Sequence, residues 1–182
     1  GKADEPTHGF DKVIMLAGGV GYARRSDAQK GTPEPGEEVV LLGGDNYRIG
    51  MGGGAVSSVN TGQYAGAIEL NAVQRSNPEM QKRVENVIRT LSESEDNPII
   101  SIHDHGAGGH LNCLSELVET TGGHFDLSAF PIGDETLSSK EIIGNESQER
   151  MGLLVKGDAV ERIARIAERE RAPMYVVGRT TD

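Results

Sequence analysis

Apolar residues beyond the middle of the first hundred alternate between two spacings, and that alternation constrains the fold more than any other feature of this sequence. Met80, Val84, Val87, Ile88 and Leu91 fall on one face of a 3.6-residue repeat, which predicts a helix. Asn77 is placed to cap it, and Pro78 to occupy its first turn, where a missing N–H breaks no helical bond. Residues 98–102 form a short apolar run of strand type. After a glycine turn, Leu111, Leu114, Leu117 and Val118 resume helical spacing. Residues 123–127 and 151–155 read as further strands, separated by a polar loop containing Pro131, Gly133 and Gly144. Val160, Ile163, Ile166 and Ala167 mark a third helix, ended by Pro173, and residues 174–177 a last strand. Strands alternating with helices predict an α/β fold with helices layered on a sheet, and the short returns predict a mixed sheet.

The first sixty residues obey a different rule. Many of the 25 glycines gather there, at positions 18, 19, 21, 43 and 44 and at 50, 52, 53 and 54. Backbone of that kind reaches positive φ or approaches a ligand closely and disfavours regular helix. Strands joined by long loops are expected, at residues 13–17 and 38–42, the second after a Pro35-Gly36 turn.

The 182 residues, with 36% hydrophobic and 25% charged, suit one globular domain covering 1–182. A net charge of -10 without a basic stripe excludes a nucleic-acid partner. No stretch approaches the roughly 18 to 20 apolar residues of a membrane helix, and no membrane partner is expected. The single cysteine, Cys113, allows no internal disulfide and points to a reducing cytoplasm. Its place on the apolar face of a helix makes it a structural thiol. Both ends read as cuts in a longer protein.

The densest chemistry lies in His103-Asp104-His105-Gly106-Ala107-Gly108-Gly109, where an apolar strand ends and a helix begins. Ligands of layered α/β folds sit at such an edge, and freed N–H groups at a helix start favour anions. Asp104 carries the hard oxygen that Mg2+ prefers. The plainer alternative is a tight turn in which Asp104 caps the helix and both histidines face solvent. Zinc is disfavoured, because a structural site wants four ligands, usually with cysteine.

A second cluster, Asn145-Glu146-Ser147-Gln148-Glu149-Arg150, precedes the strand at 151–155. On extended backbone Glu146 and Gln148 face one way and Ser147 and Glu149 the other, so one face offers a carboxylate and an amide to a polyhydroxylated or amide-bearing ligand. The alternative is a polar loop with an ion pair through Arg150. The run at Gly52, Gly53 and Gly54, with Ser57 and Ser58 near it, can cradle a phosphate, although it lacks the lysine of a P-loop. Gln74, alone before a helix, reads as a surface polar residue.

Taken together, Leu42-Gly43-Gly44, Ile49-Gly50-Met51-Gly52-Gly53-Gly54-Ala55, Val73-Gln74-Arg75-Ser76-Asn77-Pro78-Glu79-Met80, the block from Ile102 to Gly109 and the block from Asn145 to Arg150 resemble the phosphoribosylformylglycinamidine synthase family. The likeness is to the first of two domains related to the C-terminal half of aminoimidazole ribonucleotide synthetase, in the long single-chain form. It implies a three-layer α/β/α fold with a mixed sheet. It implies that Gln74, Glu146, Ser147 and Gln148 contact formylglycinamide ribonucleotide and that Asp104 holds Mg2+. ATP would be bound mainly by a preceding domain, and ammonia would come from a glutaminase domain downstream. The isolated chain would then be inactive. Two other readings stay open: a different enzyme of the same ATP-binding superfamily, and a non-catalytic module in which the glycine turns are only architecture.

Overall fold

In the computed structural model, residues 16–48, 77–147 and 150–182 are described. They form strands β1 (Glu38–Leu42), β2 (Ile99–Asp104), β3 (Gly122–Phe125), β4 (Met151–Val155) and β5 (Met174–Thr181). Between them lie helices α1 (Pro78–Ser92), α2 (Gly109–Leu117), α3 (Ser139–Gly144) and α4 (Val160–Glu170). Alternate residues of β1 point to opposite faces of the sheet, as a pleated strand requires. Val40 and Leu42, with Leu153 and Val155 of β4, pack against Val84, Val87 and Leu91 of α1 and Ile163 and Ala167 of α4. Val39 and Leu41, with Leu154 and Val177, pack against Cys113, Leu114 and Leu117 of α2 and Ile142 of α3. The result is an α/β fold in which helices cover both faces of a sheet whose two central strands are sealed.

Local chemistry fixes the helix ends. The Asn77 side chain accepts from the Met80 N–H at 3.1 Å with Pro78 in the first turn, as the sequence predicts. At α4 the C-cap is Arg171 at φ +56°, a left-handed conformation adopted by no other described non-glycine residue. α3 falls inside what the sequence presents as a polar loop. It starts with a capping box, in which the Ser138 side chain accepts from the Glu141 N–H while the Glu141 carboxylate accepts from the Ser138 N–H. In α2 the buried face runs through His110, Cys113, Leu114 and Leu117, leaving the expected core residue Leu111 54% exposed. Residues 16 and 17 of the expected first strand are irregular and exposed, and residues 13–15 lie outside the described set.

The sheet order is β2-β4-β1-β5-β3, and all four ladders are antiparallel. The only parallel pairing among the described residues is the isolated bridge between Asn46 and Ile132. This corrects the mixed sheet expected from alternating strands and helices, and topology supplies the reason. β4 and β5 are joined through α4 and run parallel, but β1 lies between them; β1 and β2 are parallel, with β4 between them. Both units are split βαβ crossovers, as in ferredoxin-like sheets, so every parallel relation skips one strand.

Replacing Leu153, fully buried between α1 and α4, by Ala is expected to cost about 2–5 kcal/mol through the cavity left behind. Leu111→Ala should stay within about 0.5 kcal/mol, because its side chain is outside the core. Urea denaturation of the two variants checks both, and equal losses would refute this assignment of the α2 core face.

Candidate functional site

Three of the motif segments meet at the end of the sheet where β1 and β2 finish and β4 starts. The β2–β4 register sets Asp104 opposite Met151, and the ladder is extended by the His105 N–H donating to the Arg150 carbonyl at 2.8 Å. Arg150 is 5% exposed. Its Nε donates to the Gly44 carbonyl at 2.7 Å and its Nη2 to the Asp45 carbonyl, so one guanidinium clasps the chain leaving β1. Gly43, at φ +135°, leaves room for it: a Cβ there would lie 2.8 Å from Arg150 Cγ. On the other side Gly109, at φ +61°, starts α2 so close to the polar segment that a Cβ would fall 1.9 Å from the Asn145 carbonyl oxygen.

Within this junction Glu146 and Ser147 are both buried, rather than alternating between solvent and core. The Ser147 hydroxyl donates to Asn46 Oδ1 at 2.9 Å, and Asn46 Nδ2 donates to the Ile142 carbonyl at 2.7 Å. The backbone of Asn46 is held as well, its N–H donating to Pro131 O at 3.1 Å and its carbonyl accepting from Gly133 N–H at 2.9 Å. Next along the chain, Arg48 pairs with Glu141 and lies 3.7 Å from the Asp134 carboxylate. Nothing in the sequence marks Asn46, because one asparagine after a glycine pair has no periodicity or motif to reveal it.

The two histidines that the plainer reading sent to solvent behave differently from that expectation. His105 is 1% exposed, and its Nε2 lies 2.9 Å from Nδ1 of the fully buried His110. The rings meet edge to face, and His110 meets Phe130 in the same way. Burial pushes the His105 pKa down to about 3, and the neighbouring Arg150 charge acts in the same direction. His110 is driven well below its ordinary value by burial, then by His105 and Arg150. Both are therefore neutral near pH 7. His103 also meets α2, its Nδ1 2.8 Å from Glu116 Oε2 and its Nε2 against the Lys30 ammonium. The helix N-cap is Gly108, without a side-chain bond, so Asp104 is not the cap.

Asp104 is exposed and lines an open groove of about 680 Å³ with Pro78, Lys82, Glu85, Ile88 and Met151. Among the described residues no three His, Cys, Asp or Glu side chains gather in a way that could hold a metal ion. Cys113 is sealed in the core, where burial raises its thiol pKa to about 12, consistent with a structural thiol. Gln74, Gln148 and the run Gly52, Gly53 and Gly54 lie outside the described residues.

A family model described as AIR synthase related protein, C-terminal domain, matches residues 34–182. The chain belongs to this family. Its AIR synthase-related domain is 45% identical over 168 residues to the probable phosphoribosylformylglycinamidine synthase, chloroplastic/mitochondrial, of Arabidopsis thaliana, covering 92% of the chain and 12% of that protein. It is 44% identical over 172 residues to the phosphoribosylformylglycinamidine synthase of Homo sapiens, covering 93% of the chain and 13% of that protein. The chain thus spans about an eighth of the length of these relatives. Among solved structures, PurLQS from Thermotoga maritima superimposes with a TM-score of 0.65 at 25% identity, over 84% of the chain and 23% of that structure's chain. No helix among the described residues is long and apolar enough to cross a membrane.

The neutral histidine pair makes stability of the AIR synthase-related domain sensitive to acid. Above about pH 6.5 histidines are neutral folded or unfolded, and the pair carries no penalty. Between pH 6.5 and about 3 the unfolded chain binds protons that the folded chain refuses, so stability falls as pH falls. Urea unfolding from pH 8 to pH 4, compared with a His105→Gln, His110→Gln variant, should show the wild type losing more stability below pH 6.5. Parallel curves would refute the buried neutral pair.

Proposed function

We propose that this chain is the substrate- and magnesium-binding domain of phosphoribosylformylglycinamidine synthase, serving the ATP- and glutamine-dependent conversion of formylglycinamide ribonucleotide to formylglycinamidine ribonucleotide in purine biosynthesis. The observation that carries this reading is the convergence of the Asp104–Gly109 turn and the polar segment before Met151 on one end of the sheet, through the Asp104–Met151 register and the His105–Arg150 bond. It is supported by relatives of 43–45% identity that bear that name over nearly the whole chain. Such agreement favours this enzyme over other members of the superfamily, among which the thiamine-monophosphate kinase of Stenotrophomonas maltophilia is alike in fold alone, at 15% identity.

In this reading Gln74, Glu146, Ser147 and Gln148 form the ribonucleotide-binding set, and Gly52, Gly53 and Gly54 approach a phosphate. Glu146 and Ser147 are packed into the junction, so they fix the shape of the segment from within, while Gln148 follows directly in the chain. Asp104 fits Mg2+ as an exposed hard oxygen at a strand end, with no cluster of three His, Cys, Asp or Glu side chains among the described residues. The remaining positions would be filled by substrate phosphates, water or other parts of the parent enzyme. Bound there, Mg2+ supplies charge neutralisation for phosphoryl transfer. The whole chain is read as one domain, working in the cytoplasm, and ATP-binding and glutaminase domains elsewhere in the parent complete the reaction. The isolated chain is therefore expected to form no product.

Asp104→Asn in the full-length enzyme tests this reading. It keeps the shape and removes the charge, so the Mg2+ concentration for half-maximal turnover should rise by about ten-fold or more, given that charge-assisted contacts contribute roughly 1.5–3 kcal/mol. Unaltered magnesium dependence and turnover would instead make the turn architecture only.

A further inference from the structure

We infer that Asn46 is a positioning residue of the proposed ribonucleotide site, acting through Ser147. This rests on the reading that the 146–148 segment contacts the ribonucleotide. Asn46 is fully buried and commits both ends of its carboxamide. Nδ2 is taken by the Ile142 carbonyl at the end of α3, and that contact fixes which end of the group is oxygen. Oδ1 must then face the Ser147 hydroxyl, which has no choice but to donate. Any other group that meets Ser147 meets lone pairs.

The consequence is geometric. Asn46 lies between the end of β1 and the glycine run at 50–54, and its main chain is tied to residues 131 and 133 on both sides. A single side chain thus ties the chain leaving β1 to the candidate substrate-binding segment. A shift of the 145–147 backbone relative to β1 requires breaking the Asn46–Ser147 bond. Arg150 holds the exit of β1 as well, through Gly44 and Asp45, three residues farther along the chain than Ser147. Misplacement of a substrate-positioning segment by a fraction of an ångström shows in substrate use before it shows in folding.

The test uses the full-length enzyme. Asn46→Ala and Ser147→Ala are each expected to raise KM for formylglycinamide ribonucleotide by about ten-fold, the scale of a lost buried hydrogen bond with an unsatisfied partner, while KM for glutamine stays within about two-fold. Because both variants break the same bond, the double variant should be no worse than the more impaired single one. Multiplying effects, or a fall in active fraction and Tm with an unmoved ribonucleotide KM, would overturn the inference. Should Asn46→Ala not fold, Asn46→Ser takes its place, since it withdraws the acceptor from Ser147 while leaving a hydroxyl in the pocket, and an unchanged KM overturns the proposal. Gln148→Ala separates the two levels of the argument. If it raises the ribonucleotide KM and the Asn46 variant does not, only the role of Asn46 fails; if neither Gln148→Ala nor Ser147→Ala moves it, the site reading fails as well.

Discussion

A buried guanidinium organises the end of the sheet that carries the candidate site. Arg150 opens β4, and taking its charge out of water is costly unless dipoles replace the lost solvent. Carbonyls of Gly44 and Asp45 provide that replacement, and the Asp45 carboxylate acts against the burial that lowers the arginine pKa to about 10. The side chain therefore remains charged at neutral pH. Its main-chain carbonyl simultaneously receives the His105 N–H. One residue thus ties together the exit of β1, the turn after β2 and the entrance to β4. Gly43 serves this arrangement, because a side chain there would collide with the arginine stem. Gly109 does the equivalent on the far side, letting α2 begin against the Asn145 carbonyl.

The charge of Arg150 also determines what its neighbours can be. A second cation in the same dry space would be repelled, and both His105 and His110 are accordingly held neutral by burial with help from the arginine. Deprived of charge, the two rings pack as aromatic core residues, edge to face with each other and with Phe130. One shared hydrogen bond satisfies one nitrogen of each ring and the rings fill apolar space, while His105 Nδ1 and His110 Nε2 have no hydrogen-bond partner among the described residues.

Elements with a strong period were legible in the sequence, and features that depend on partners far along the chain were not. α1, β1, β4 and α4 follow directly from spacing and capping residues such as Asn77 and Pro78. α3 was hidden because six residues give no period, although Ser138 and Glu141 stand at capping-box spacing. Leu111 misled because hydrophobic type alone does not tell which arc of α2 meets the sheet; the arc is set by Gly109, which presses the helix start against residue 145. The antiparallel ladders were out of reach for a similar reason. Spacing reveals that a helix connects two strands, but not that a third strand slips between them.

For the candidate site, the segments picked out by residue chemistry meet at one end of the sheet, with side-chain orientations other than those expected. Asp104 is exposed at the strand end, whereas Glu146 and Ser147 turn inward, the Ser147 hydroxyl donating to Asn46. The inward turn has an energetic logic. A segment of polar side chains left free at a sheet edge would sample many rotamers, and ligand binding would have to overcome that freedom. Fixing Ser147 on Asn46 and Arg150 on the β1 exit removes that freedom for these two side chains during folding. Asn46, which fastens Ser147, carries no motif, which is why its role is visible only once the chain is folded.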